Sequence, residues 1–172
     1  MNFQFYAEKL NSSEEFKKFI SENPDAFFCS AFFIIDKESD LKDIGKKDKQ
    51  HIDFYVPSKK KAFSFQLENN SELVPVQNAY DEAPEKIDLS IEIDFEEVVK
   101  LIMLHMEKEN IKNKVQQILL SLQRKNGKDF ILGTVFISGF GLIKFTLSVK
   151  EMKILQFEKK SFLDMLKIIR KK

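Results

Sequence analysis

Two segments of the chain are apolar on both faces of a strand, and they constrain the fold more than any other feature. Residues 27–35 contain almost only apolar side chains, and residues 130–137 are interrupted only by Gly133 and Thr134. A strand that is apolar on both faces needs cover from both sides, so it belongs near the centre of a sheet. We therefore expect a sheet built around these two strands.

Other segments alternate between apolar and polar residues, as strands with one wet face do. Residues 52–56 and 63–67 alternate in this way on either side of a turn at 57–60, which predicts a hairpin. Residues 87–93 and 143–149 show the same alternation, and a last strand is expected over 152–157. Together these segments predict about six strands.

Helix starts are indicated where a capping side chain is followed three residues later by an acid. This pattern begins at Ser12, Asp94 and Ser161. A further helix is expected over 111–122, where apolar residues recur at helical spacing before Asn126-Gly127. The Asp94 helix is apolar on most sides, which predicts that it is the central helix of the fold.

These elements predict an α+β fold in which a twisted antiparallel sheet of about six strands carries helices on one face. The 172 residues are the length of a single domain, 1–172, with two candidate halves, 1–86 and 87–172. Each half would be a helix followed by a meander of strands. An internal repeat is indicated by an alignment of residues 25–34 on 129–138.

Composition argues for an intracellular protein without a strong global charge. The formal net charge is +1, so no overall field attracts nucleic acid or an anionic membrane. The one cysteine, Cys29, cannot form an internal disulfide, which favours a reducing compartment. The first residues are too polar for a secretory signal, and no stretch is apolar for long enough to span a bilayer. These observations predict a cytoplasmic location.

Reactive side chains are few and do not form a known catalytic or metal-binding pattern. His51 and His105 are far apart in the sequence, and His105 has no second histidine one turn away. Cys29 lies in an apolar strand, where a thiol is inert. The glycines form neither a phosphate-binding loop nor a dinucleotide fingerprint. We therefore expect no catalytic residues, no metal site and no cofactor, and hence no enzyme.

The leading hypothesis is a non-enzymatic interaction module, a small adaptor or accessory subunit whose partner is another protein or a second copy in a homodimer. One alternative is a pocket for an apolar small molecule between the sheet and the helix that carries Met103 and Met106. A second alternative is binding of single-stranded nucleic acid by lysines beside an outward-facing aromatic ring. The candidate binding residues for that function are Tyr55, Lys59, Lys60, Lys61, Lys171 and Lys172.

Overall fold

The computed structural model describes residues 2–37, 49–76 and 82–161. Three helices lie within these ranges: α1 (Phe3–Ser12), α2 (Glu14–Glu22) and α3 (Phe95–Lys108). The strands of the amino-terminal half are β1 (Phe27–Asp36), β2 (Lys49–Val56), β3 (Lys61–Gln66) and β4 (Glu72–Val76). Those of the other half are β5 (Val115–Lys125), β6 (Lys128–Ile137), β7 (Gly141–Ser148) and β8 (Lys153–Ser161).

The eight strands form one antiparallel sheet in the order β4-β3-β2-β1-β5-β6-β7-β8. The α+β class and the antiparallel sheet are confirmed, but the sheet has eight strands and not six. The extra strands are β4, for which no strand was predicted, and β5, which lies largely in the segment predicted as a helix. β1 is central as predicted, because it pairs with β2 on one side and β5 on the other.

In each half of the chain, one or two helices come before four strands that form a meander. The two meanders meet where β1 pairs with β5. The alignment of residues 25–34 on 129–138 does not fit this arrangement. Residues 25–34 contain the first strand of their meander, whereas 129–138 contain the second strand of theirs. Two strands that are apolar on both faces resemble each other in sequence without holding equivalent places.

All three helices contact the same face of the sheet, and aromatic rings form much of that contact. Alternate residues of the strands point towards the helices and join one buried core. Ring centroids 4.4–5.5 Å apart join helix residues to strand residues in five pairs: Phe3 with Phe28, Phe16 with Phe54, Phe19 with Phe65, Phe95 with Phe33, and His105 with Phe157. The helices therefore cover one face of the sheet. The strand residues that alternate with the core residues form the other face.

Helices at the predicted starts are present with shifted bounds, and one helix was not predicted. α3 begins after Asp94, whose side chain accepts a hydrogen bond from Glu96 N at 2.9 Å. α2 is capped by Ser13 and not by Ser12, because Ser12 is the last residue of α1. α1 was missed, although Asn2 caps it through Phe5 N at 3.1 Å. The helix predicted to begin at Ser161 lies outside the described residues.

Two segments were assigned the wrong secondary structure. Residues 111–122 were predicted as a helix, but β5 occupies most of them, and its residues Ile118, Leu120 and Leu122 are buried at a spacing of two. The apolar residues there fit both helical spacing and the alternation of a strand. Pairing with β1 and β6 stabilises the strand. Residues 87–93 were predicted as a strand, but Asp88 Oδ1 accepts hydrogen bonds from Ser90 N and Oγ, which closes a turn.

Candidate functional site

The face of the sheet that the helices leave uncovered is the candidate site, and we name it the open face. It is defined by the side chains that alternate with core positions in β1 and β5–β8. One row crosses these strands through directly paired residues: Phe32, Ser121, Leu132, Thr146 and Gln156. The next row runs through Ile34, Leu119, Thr134, Lys144 and Glu158.

A hollow of about 740 Å³ lies on the open face over these two rows. Apolar side chains of Phe32, Leu119 and Leu132 line the part of the hollow over β1, β5 and β6, and Lys144 and Glu158 line the part over β7 and β8. Leu132 is 41% exposed, which is high for a leucine in a strand with neighbours on both sides. The hollow is therefore an apolar floor bordered by charges, open to solvent.

The hollow also contains polar groups. Thr146 Oγ1 lies 3.3 Å from Gln156 Oε1, and Glu158 pairs with Lys160 at 3.3 Å. Lys144 forms no ion pair with a described carboxylate. The lining residues include neither a cysteine nor a histidine.

A small polar cluster on the same face surrounds Asp53 in β2. Ser30 Oγ donates to Asp53 Oδ2 at 2.6 Å, and Ser64 stands opposite Asp53 in the β2–β3 register. Ser64 Oγ is buried and forms no hydrogen bond of its own. Burial raises the pKa of Asp53, although the nearby hydroxyls of Ser30 and Ser64 and the His51 ring oppose this shift. The cluster thus favours a protonated carboxyl more than an exposed aspartate would.

His51 is half-buried and forms a hydrogen bond with Glu68. His51 Nε2 lies 3.1 Å from Glu68 Oε1, and Gln50 N donates to Glu68 Oε2 at 3.2 Å. Burial alone would raise the pKa of Glu68, but the backbone N–H groups and His51 outweigh it and the pKa is lowered. The pair joins β2 to the turn that follows β3, which is a structural arrangement.

The thiol of Cys29 is buried, as the sequence predicted. Its side chain lies where the β1–β2 register shifts, it is 3% exposed, and its Sγ donates to the Asp53 carbonyl at 3.4 Å. His105 is half-buried on α3, with Nδ1 lying 3.2 Å from the Leu101 carbonyl. Neither residue lines the hollow.

The predicted nucleic-acid residues are only partly brought together. Lys59, Lys60 and Lys61 are exposed on the turn between β2 and β3, which Asp25 fixes through Ser58 N at 2.8 Å. Tyr55 is half-buried and its ring lies 5.7 Å from that of Phe27. Lys171 and Lys172 lie outside the described residues. Binding of nucleic acid by this turn stays a prediction.

The apolar pocket predicted beside the helix that carries Met103 and Met106 stays a prediction, and cavities lie along this helix, α3. Met106 is 2% exposed and fills the core, whereas Met103 is 48% exposed on the outer side of α3. A cavity of about 470 Å³ is lined by Met103 and Met106, and another of about 330 Å³ lies at the first turns of α3, against α1 and β1. The helix was identified correctly, but the side chains that the core uses could not be read from its nearly uniform apolar sequence.

Sequence reasoning missed the open-face residues Leu132, Lys144 and Glu158. The signal was present, because Lys144 and Thr146 alternate with the core residues of β7 and so mark the outward face. Leu132 was hidden within a run that is apolar on both faces. In the described ranges, no group of three acidic, histidine or cysteine side chains is arranged to hold a metal ion. No described helix has the length and apolar character needed to span a membrane.

Comparison with known proteins gives one structural relative. No protein-family model and no curated protein matches the chain. The fold is similar to the crystal structure of a protein from Clostridium difficile 630 described as a "putative lipoprotein", with a TM-score of 0.52 and 13% sequence identity. The match covers 86% of this chain and 91% of the other. At this identity the likeness shows the fold alone.

This comparison corrects the predicted location. The cytoplasmic location inferred from the sequence is contradicted by a structural relative described as a lipoprotein, since lipoproteins are anchored to membranes. The inference rested on the amino-terminal residues and on one cysteine. Neither feature reports on the compartment in which a fold of this kind is used, so we withdraw the prediction.

Proposed function

We propose that this protein is a non-enzymatic interaction module that binds a protein partner on its open face. The observation that carries the proposal is the hollow over β1 and β5–β8, which is lined by the apolar side chains of Phe32, Leu119 and Leu132. One layer of helices covers only one side of a sheet, and soluble proteins rarely leave apolar side chains grouped on the other side without a use.

The size of the open face suits a protein partner. Its five strands are eight to eleven residues long. With a strand spacing of about 4.8 Å and a rise of about 3.3 Å per residue, they cover roughly 700 Å². A stable protein interface buries about 800 Å² on each partner. The open face therefore offers nearly the area that one such interface needs.

The distribution of side chains also resembles a protein interface. Interfaces combine an apolar centre with a polar rim that fixes orientation. Leu132 lies in the centre of the hollow, and Lys144 and Glu158 border it with charges of opposite sign. A rim with both signs favours a partner of mixed charge over a polyanion such as nucleic acid.

A pair of leucine variants tests the proposal. Leu132 is 41% exposed in the hollow, and Leu104 is 43% exposed on α3, on the helix side of the sheet. We expect Leu132→Arg to weaken binding of the partner by about tenfold or more, because it places a charge among the apolar side chains of the hollow. Leu104→Arg should leave binding unchanged. Equal binding by both variants in a quantitative pull-down would contradict the proposal.

The partner is either another protein or a second copy of this chain, and light scattering distinguishes them. A homodimer through the open face predicts a doubled mass that Leu132→Arg, but not Leu104→Arg, returns to that of a monomer. If the wild-type protein is a monomer and binds another protein that Leu132→Arg does not bind, the partner is that other protein. A monomer that binds no protein in either form would refute the interaction module.

A further inference from the structure

The cavity at the amino-terminal end of α3 lies on the helix side of the sheet, away from the open face. Its volume is about 330 Å³, and it is lined by residues of α1, β1, β2 and α3. This is at the small end of the range for sites that bind small molecules. The cavity opens between two layers of the fold, which is a usual place for such a site.

Three aromatic rings form the inner wall of this cavity. Tyr6, Phe33 and Phe95 are 3–6% exposed, and their ring centroids lie 4.4–6.2 Å from one another. Rings packed this closely hold each other in place. Ile34, Ile35 and Val99 complete the apolar lining, and of these Ile34 also belongs to the second open-face row. The wall is therefore rigid and apolar before any ligand binds.

The mouth of the cavity carries polar groups that suit an acidic head group. Lys37 and Gln50 line it, and Lys37 forms no ion pair with a described carboxylate. Glu96 also lines the cavity, so a bound carboxylate has to lie nearer to Lys37 than to Glu96. An ammonium and an amide beside an apolar wall can bind a carboxylate whose chain enters the cavity.

We propose that this cavity binds a small aliphatic carboxylic acid, with the chain against Tyr6, Phe33 and Phe95 and the carboxylate at Lys37 and Gln50. This proposal does not depend on the proposed function of the open face, so each of the two can be refuted without the other. Its chemistry requires no catalytic group, because binding is by apolar contact and one charged hydrogen bond.

Decanoate is the probe, and decanol, which has the same chain without the charge, is the matched ligand. We expect decanoate to bind the full chain with one-to-one stoichiometry in isothermal titration calorimetry. Decanol should bind about tenfold more weakly because it lacks the ion pair with Lys37. Lys37→Gln should reduce the affinity for decanoate to that for decanol and leave decanol binding unchanged.

Two substitutions on α3 locate the site. Val99→Phe fills the cavity and should abolish decanoate binding, whereas Leu104→Phe, on an outward position of the same helix, should not change it. If Val99→Phe does not fold, Val99→Ala enlarges the cavity and should shift the preference from decanoate to dodecanoate. Absence of decanoate binding, equal binding by Lys37→Gln, no shift on Val99→Ala, or an equal loss on Leu104→Phe would overturn the proposal.

Discussion

Gly133 is the residue of the sheet at which the smallest substitution should have the largest effect. It lies in β6 directly opposite Phe145 of β7, and the Phe145 ring covers it. A Cβ atom at Gly133 would lie 2.0 Å from two ring carbons and 2.8 Å from a third. These distances are far below van der Waals contact, so Gly133→Ala must displace a ring that is 3% exposed.

The expected loss follows from two opposing terms. Overpacking a filled core costs about 1–3 kcal/mol, and contacts as short as these place Gly133→Ala at about 3 kcal/mol. Replacing glycine by alanine also reduces the entropy of the unfolded chain, which returns about 0.4–1 kcal/mol. The net expectation is a decrease of about 2 kcal/mol in the free energy of unfolding, measured by urea denaturation and circular dichroism.

A double-mutant cycle with Phe145→Leu tests the stated cause. Removing the ring should relieve the clash, so the two substitutions together should cost at least about 1 kcal/mol less than the sum of their separate effects. Gly127→Ala is the control, because no atom lies within 4 Å of its Cβ position and its cost arises from a φ of +70°. That variant should add to Phe145→Leu within about 0.5 kcal/mol. Additivity at Gly133 would refute the reasoning.

Three further predictions concern the buried and paired carboxylates. Because the pKa of Asp53 is raised, the stability that its protonated form gives is full below pH 4 or so and is lost as the pH rises through the raised value. In Asp53→Asn, the free energy of unfolding measured by urea denaturation should therefore no longer fall with pH above that value. At pH 7 it should be higher than in the wild type. The lowered pKa of Glu68 has the opposite sign, so Glu68→Gln should cost about 1 kcal/mol at pH 7 and less at pH 3, because Glu68 loses its negative charge as the pH falls through its lowered pKa. Glu85 accepts from Asn126 N at 2.6 Å and Gly127 N at 2.8 Å, so Glu85→Ala should cost about 1 kcal/mol and speed amide exchange in the β5–β6 hairpin.

Those predictions fail in distinct ways. A stability profile for Asp53→Asn that parallels the wild type between pH 4 and 8 would remove Asp53 as the source of the pH dependence. An equal effect of Glu68→Gln at both pH values would show that the His51 contact does not depend on the charge of Glu68. Unchanged amide exchange at Asn126 and Gly127 in Glu85→Ala would show that the carboxylate does not hold the hairpin.

Local sequence patterns predicted the secondary structure of segments whose pattern fits only one type of element. The β2–β3 hairpin was predicted because its apolar residues recur only at a spacing of two. The start of α3 was predicted because Asp94 has a capping side chain and acids follow it. The pattern of residues 111–122 is ambiguous, because the spacing of Ile118 and Leu122 fits a helix and a strand equally well. Only pairing with neighbouring strands decides such a segment.

The candidate sites were less predictable than the elements that carry them. The open-face hollow joins Phe32 of β1 to Leu132 of β6 and Lys144 of β7, residues that are neighbours only because the two meanders meet at β1 and β5. The cavity joins Tyr6 to Phe95 across most of the first half of the chain. No local spacing brings such residues together, so a search for short motifs finds neither site.

The sequence by itself determined that this chain forms an antiparallel α+β fold with β1 near the centre and α3 after Asp94. These features follow from apolar periodicity and from capping side chains, which act over a few residues. The tertiary structure alone decided that the sheet has eight strands, which of its two faces the helices cover, and that the other face carries a hollow. Strand order depends on pairing between residues that are distant in the chain, and the side that helices cover depends on which apolar face each meander presents when the halves join.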